Sequence, residues 1–199
     1  MTAIFSVFSG TRQLIIRELQ DVDFNGSRCD GGGGLTIVFE EDFETVNEDQ
    51  NVSLSGWTNA SIVGSRVWTG DEFDGNKYAR VSAFQDTDPD LTTWLITPQI
   101  ELTGTNTLNF NSAVAFPVQD GLTVLVSSDF AGDPTTATWE ELNPFIPGDG
   151  ATNWEFVESG DIDLTDYDGQ QIVIGFRYEG SADSGNTSTY LLDDIVITK

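Results

Sequence analysis

From Leu35 to the C-terminus, short runs of aliphatic and aromatic residues are cut at brief intervals by turn-forming sequences. No stretch carries the 3.6-residue period of an amphipathic helix. The cuts fall at Asp74-Gly75-Asn76, Asp120-Gly121, Gly132-Asp133-Pro134, Pro147-Gly148-Asp149-Gly150, Asp168-Gly169 and Ser184-Gly185-Asn186. Strands are expected at 35–39, 66–68, 77–82, 92–96, 107–116, 122–127, 139–141, 153–157, 171–178 and 190–197. Leu108-Asn109-Phe110-Asn111 and Thr123-Val124-Leu125-Val126 show the alternation of half-buried strands. About ten short strands at this spacing predict an all-β fold, a jelly-roll β-sandwich of two antiparallel sheets.

With 13 Phe, 5 Trp and 4 Tyr in 199 residues, the chain has the bulk to bury one good-sized core. It contains no histidine, which removes Ser-His-Asp and Cys-His triads and histidine-ligated zinc. Cys29 is the single cysteine, so neither an intrachain disulfide nor a cysteine zinc site can form. A net charge of −25 opposes nucleic acid and anionic membrane surfaces, both of which are held through basic patches. No apolar run approaches transmembrane length, so membrane insertion is not expected, and Met1-Thr2-Ala3 does not begin an export signal. The chain is thus expected to be a piece of a longer exported protein. No catalytic residues are expected.

Two strand-like runs carry acids where apolar residues belong: Val38-Phe39-Glu40-Glu41-Asp42-Phe43-Glu44 and Tyr190-Leu191-Leu192-Asp193-Asp194-Ile195-Val196-Ile197. Alternation requires one of Asp193 and Asp194 to face the side that buries Ile195 or Val196. A carboxylate there must be hydrogen-bonded, ion-paired or metal-bound. With only 8 Lys and Arg against 33 Asp and Glu, a hard cation is the expected partner. The expected ligands of a structural calcium ion are Glu44 and one of Asp193 and Asp194, with Asp42 or Glu41 as alternates. The loop residues Asp71, Asp74 and Asn76 are further donors. Asp86–Asp90 and Asp161–Gly169 lack the EF-hand spacing and read as acidic turns.

Residues 1–30 are expected to form a tail of a preceding domain or an arm. Residues 31–37, opening on four glycines, are the linker and domain entry, and 38–199 are the main domain. Strand-like runs at Ala3–Phe8 and Thr11–Leu19 would let the arm pair with a neighbouring chain's sheet edge and make a homo-oligomer. Among the tryptophans, Trp94 sits in an apolar strand and is expected to be buried. Trp68, Trp154 and Tyr78 are the candidates for a sugar-stacking surface.

The ordered set Glu41-Asp42-Phe43-Glu44, Ser55-Gly56-Trp57, Gly75-Asn76-Lys77-Tyr78-Ala79, Thr93–Pro98, Leu122–Phe130, Trp139, Ile174–Tyr178 and Leu192-Asp193-Asp194-Ile195 resembles the choice-of-anchor J domain. That family belongs with the cleaved-adhesin domains of gingipains and is similar in fold to MAM domains. The resemblance covers about residues 38–199, and Asp21–Cys29 resembles the end of a small β-domain that often precedes it. It implies a jelly roll at the surface of a Bacteroidetes-type cell, extracellular, with calcium near the joined termini. The expected function is non-catalytic adhesion or recognition of a polysaccharide or of a host or matrix surface. The alternative is a structural subunit or spacer of a surface assembly.

Overall fold

A computed structural model describes residues 35–199 and the backbone of two short strands nearer the N-terminus. In chain order the strands are β1 (Ile4–Phe8), β2 (Thr11–Ile15), β3 (Ile37–Glu41), β4 (Thr58–Val63), β5 (Thr69–Phe73), β6 (Asn76–Val81), β7 (Asp90–Ile96) and β8 (Ile100–Glu101). They continue with β9 (Thr107–Ala115), β10 (Leu122–Ser127), β11 (Glu140–Glu141), β12 (Val157–Glu158), β13 (Ile162–Asp163), β14 (Gln171–Ser181) and β15 (Thr189–Thr198). No helix among the described residues is long and apolar enough to cross a membrane.

The chain divides into two units, Met1–Thr36 and Ile37–Lys199. In the first, β1 and β2 pair with each other as an antiparallel hairpin, from Ile4 opposite Ile15 to Phe8 opposite Thr11. The segment Asp21–Cys29 and the four glycines of the expected linker lie outside the described residues.

The second unit is a sandwich of two antiparallel sheets. One has six strands in the order β11–β10–β14–β7–β4, with β8 beside β14. The other has seven in the order β12–β9–β15–β6–β5, with β13 beside β9 and β3 beside β15. Alternation sends Leu108, Phe110 and Val114 of β9 and Ile172, Ile174 and Phe176 of β14 into the space between the sheets. There Phe110 and Phe176 meet edge to face across the core, centroids 5.4 Å apart at 85°. The opposite parity forms two satellite clusters. Trp94, Ile96, Leu125 and Val173 pack under Phe130 and Trp139 on the outer face of the six-stranded sheet. Tyr78, Ala113 and Leu191 pack under Phe156 on the outer face of the seven-stranded sheet.

Expectation and structure differ where strands lack an apolar signature. β4 (Thr-Asn-Ala-Ser-Ile-Val) and β5 (Thr-Gly-Asp-Glu-Phe) carry small and acidic residues, and β8 and β13 are two-residue ladders defined only by their partners. The run at 66–68 is not a strand; it leads into β5. Gly70 shows why β5 looks unlike a strand. A Cβ there would lie 2.6 Å from the Asn47 carbonyl oxygen and 2.7 Å from Val46 Cγ2. The 46–50 loop is hydrogen-bonded onto the same residue through Asp49 N–H to the Gly70 carbonyl and Gly70 N–H to the Gln50 carbonyl. Gly70→Ala is therefore expected to cost about 1–3 kcal/mol through forced backbone displacement. Urea unfolding checks this, and an unchanged midpoint would mean that the loop does not close on β5.

Candidate functional site

The two adjacent acids of β15 are separated by a bulge. Asp193 lies opposite Asn111 of β9, but Asn109 lies opposite Val196, so β15 holds one extra residue. Asp194 takes the left-handed conformation, φ 48°, that absorbs it. The bulge resets the parity: Leu192 and Ile195 both point into the inter-sheet core. Unbroken alternation would have turned Asp194 to that core; with the bulge, neither acid faces it. Asp193 instead shares the outer parity of Leu191 and is nonetheless 3% exposed.

Asp193 Oδ2 accepts a hydrogen bond from Asn76 Nδ2 at 2.9 Å, and Oδ1 accepts one from the Asp194 backbone N–H at 2.8 Å. Burial pushes its pKa up to about 6, with the charges of Asp194 and Glu44 adding to the rise against those two hydrogen bonds. Among the described residues the ion pairs are Arg66–Asp86, Arg80–Asp49, Arg80–Asp71 and Arg177–Glu179, so none neutralises it.

The structure draws Asp193, Glu44 and Asn76 to one end of β6 and leaves the other expected ligands apart. Glu44 is exposed, and its Oε1 accepts the Lys77 backbone N–H at 3.2 Å. Asp42 is committed to a turn, accepting the Glu44 N–H at 3.1 Å, and Glu41 accepts the N–H of Phe43, which is itself left-handed at φ 51°. Asp194 is exposed and accepts from Asn111 Nδ2 at 2.9 Å. Asp71 turns to Arg80, 2.7 Å from Nη1, which occupies the carboxylate offered as a ligand. Among the described residues, no three Asp or Glu side chains form a ready-made metal cage. The donor set still suits a hard cation: a buried carboxylate without a basic partner, a second carboxylate within electrostatic reach, and an amide that offers oxygen if it turns over.

The same outer face carries two clefts that share Trp154. The larger, about 710 Å³, is lined by Arg66, Arg80, Phe84, Phe116 and Val118 among others. The smaller, about 440 Å³, is lined by Asp71, Phe73, Asn76, Tyr78, Phe156 and Leu191 among others. Trp154 is 46% exposed and Phe116 62% exposed, and their rings meet edge to face at 5.8 Å. Both backbones are left-handed, φ 69° and 52°. That conformation costs a bulky L-residue roughly 1–2 kcal/mol. Hydrogen bonds hold it in place: Trp154 N–H to the Val114 carbonyl at 3.0 Å and Phe116 N–H to Asn153 Oδ1 at 2.9 Å.

Of the expected ligand-binding residues, Trp154 stands at this surface. Tyr78 forms part of the smaller cleft's wall from beneath. It is 5% exposed, packs edge-on against Phe156, and its hydroxyl pKa is pushed up to about 12 by burial and by the charge of Asp71. Trp68 is not at the surface at all: it is fully buried in the inter-sheet core. Its backbone is fixed there by Asn59, which accepts the Trp68 N–H and donates to its carbonyl. Phe116, Phe84 and Phe73 escaped the sequence reading, since nothing local tells an aromatic at or just beyond a strand end that faces solvent from one that faces the core.

No family model matches this sequence, and no curated protein matches it. Solved structures do. The K3 cleaved adhesin domain of Lys-gingipain from Porphyromonas gingivalis is 22% identical with a TM-score of 0.52, covering 83% of this chain and 99% of that one. The K1 domain from the same organism is 17% identical with a TM-score of 0.52, covering 80% and 96%. The K2 domain of Lys-gingipain is 19% identical with a TM-score of 0.53, covering 81% and 98%. The chain thus shares its β-sandwich fold with the cleaved adhesin domains of Lys-gingipain.

Proposed function

We propose that the Ile37–Lys199 domain is a non-catalytic, extracellular recognition module that binds carbohydrate on the outer face of its seven-stranded sheet. A structural calcium ion at Asp193 would hold the end of that sheet. The observation that carries the binding reading is the Trp154–Phe116 pair. Two bulky aromatics are kept half-exposed in a strained backbone conformation in the wall of the larger cleft. Strain that the surrounding structure sustains at a surface points to use of that surface. Half-exposed rings beside fixed polar groups match sugars, whose C–H faces stack on aromatics while their hydroxyls take hydrogen bonds. Here Arg80 is held between Asp71 and Asp49, which sets its remaining N–H groups in fixed directions. The fold is also one that Lys-gingipain uses in domains named as adhesins.

For the cation, support comes from the buried, unpaired Asp193 beside Glu44 and Asn76. Asp193 and Glu44 would supply charged oxygens and Asn76 an amide oxygen. A bound calcium ion would neutralise the carboxylates and tie β15 to β6.

The binding reading is checked by affinity electrophoresis through gels containing soluble polysaccharides. Trp154→Asn keeps a residue that tolerates the left-handed backbone. It is expected to lose retention, with affinity falling by about tenfold or more, while the unfolding midpoint moves by only a few degrees. Phe145→Ala, an exposed aromatic outside both clefts, is the control and is expected to bind normally. Retention unaffected by Trp154→Asn would remove this face from the function.

A further inference from the structure

Given the carbohydrate reading, the clefts also specify what kind of carbohydrate. We infer that the ligand is an uncharged glycan chain, bound along an internal segment that passes over Trp154 from one cleft into the other.

Three features carry this. Each cleft alone, at about 710 and 440 Å³, falls in the range of about 300–1,000 Å³ that holds a whole small ligand. Yet the two share a wall residue. A single terminal sugar would fill neither, whereas a chain can place one ring on Trp154 and further rings to both sides. The polar groups are also spread along the path: Arg66 and Arg80 on the larger side, Asp71 and Asn76 on the smaller.

Charge decides the class of sugar. The larger cleft contains two arginines, and both are already neutralised. Arg66 Nε lies 3.3 Å from Asp86 while its Nη1 donates to the carbonyls of Ser82 and Phe84. Arg80 is paired with Asp71 and Asp49. The smaller cleft adds Asp71 and Glu72 and no cation. A carboxylated or sulfated polymer would find no free positive partner among the described residues that line the clefts and would enter the field of a chain with net charge −25. The pre-formed ion pairs instead offer fixed donors and acceptors to hydroxyl groups.

The test compares retention on neutral polymers (xylan, mannan, galactan and mixed-linkage β-glucan), anionic ones (polygalacturonate and dextran sulfate) and cationic chitosan. Calorimetry then follows oligosaccharides, from disaccharide to hexasaccharide, cut from the polymer retained best. Retention by a neutral polymer is expected, with affinity rising by about tenfold or more beyond the disaccharide before it levels off. Phe84→Ala removes an exposed ring from the larger cleft and Phe73→Ala one from the smaller. Each is expected to weaken hexasaccharide binding and shorten the length at which affinity levels off.

Affinity that already levels off at the disaccharide, or that depends on only one of the two phenylalanines, would overturn the chain reading and leave carbohydrate recognition standing. Preference for an anionic polymer or for chitosan would overturn the uncharged class. Retention by no polymer at all would remove both this inference and the carbohydrate reading on which it rests.

Discussion

Calcium added to protein stripped with EDTA is expected to raise the thermal midpoint by roughly 5–10 °C. At about a hundred times its dissociation constant, a ligand that binds only the folded state adds about 2.7 kcal/mol, and a domain of this size gains roughly 2–4 °C per kcal/mol. The assignment of Asp193 sharpens the test. Asp193→Asn is nearly isosteric and is expected to abolish the rise, whereas Asp194→Ala, an exposed residue of the bulge, is expected to keep most of it.

The pH dependence should change sign with the cation. Without it, the folded-state pKa of Asp193, about 6, lies above its ordinary value of 3.8, so the folded state holds the proton more tightly. The resulting destabilisation is fully present above pH 6 and is relieved as pH falls from 6 towards 3.8. It is worth about 3 kcal/mol at about 1.4 kcal/mol per unit. Asp129, Asp133 and Asp163 are held below the usual range by hydrogen bonds from Thr138, Thr135 and Thr165 and oppose the trend only at lower pH. With calcium bound, the same acidification should destabilise, because protons compete for the ligand oxygens. Midpoints at pH 7 and 5, with EDTA and with calcium, check both signs. A calcium response retained in full by Asp193→Asn would place the ion elsewhere. No response in any variant, with no calcium found by elemental analysis, would remove the ion from the proposal.

Phe110→Ala is expected to destabilise the domain by about 3–5 kcal/mol, the cost of deleting a fully buried aromatic and leaving a cavity. Phe110 is 1% exposed and is the seven-stranded sheet's half of the edge-to-face pair with Phe176. Its removal strikes the contact between the two sheets as well as the area buried. Urea unfolding should show a lower midpoint with an unchanged slope, which marks a loss of stability without a change in the surface exposed. A loss below about 1 kcal/mol would mean that the sheets do not close on this residue.

Much of the framework was legible because it rests on local chemistry. β9 and β10 fall within the expected runs, and β7, β14 and β15 cover theirs and run one to three residues further, since each buries one full face and so alternates. β4 and β5 did not: their neighbours cover them through backbone pairing and a folded-over loop, which need no apolar signature. Asn76 sits near Asp193 because β6 pairs with β15, and Glu44 because it follows β3, which also pairs with β15, and accepts the Lys77 N–H. Asp71, on the strand beyond β6, is instead turned away by Arg80.

The sequence by itself determined the class of fold and the residues with something to explain. Turn spacing with period-2 alternation allows little besides an antiparallel sandwich, and two acids in an apolar strand demand a partner wherever they fall. The tertiary structure decided which way each of them faces. One extra residue in β15 reverses the parity of everything beyond it and leaves Asp194 in solvent, while Asp193, just before it, stays buried on the outer face. Distant partners likewise placed Trp68 between the sheets and Trp154 across two clefts. Alternation is a local property that a single chain displays, whereas the face a side chain finally shows depends on strands far away in sequence and on every bulge between them.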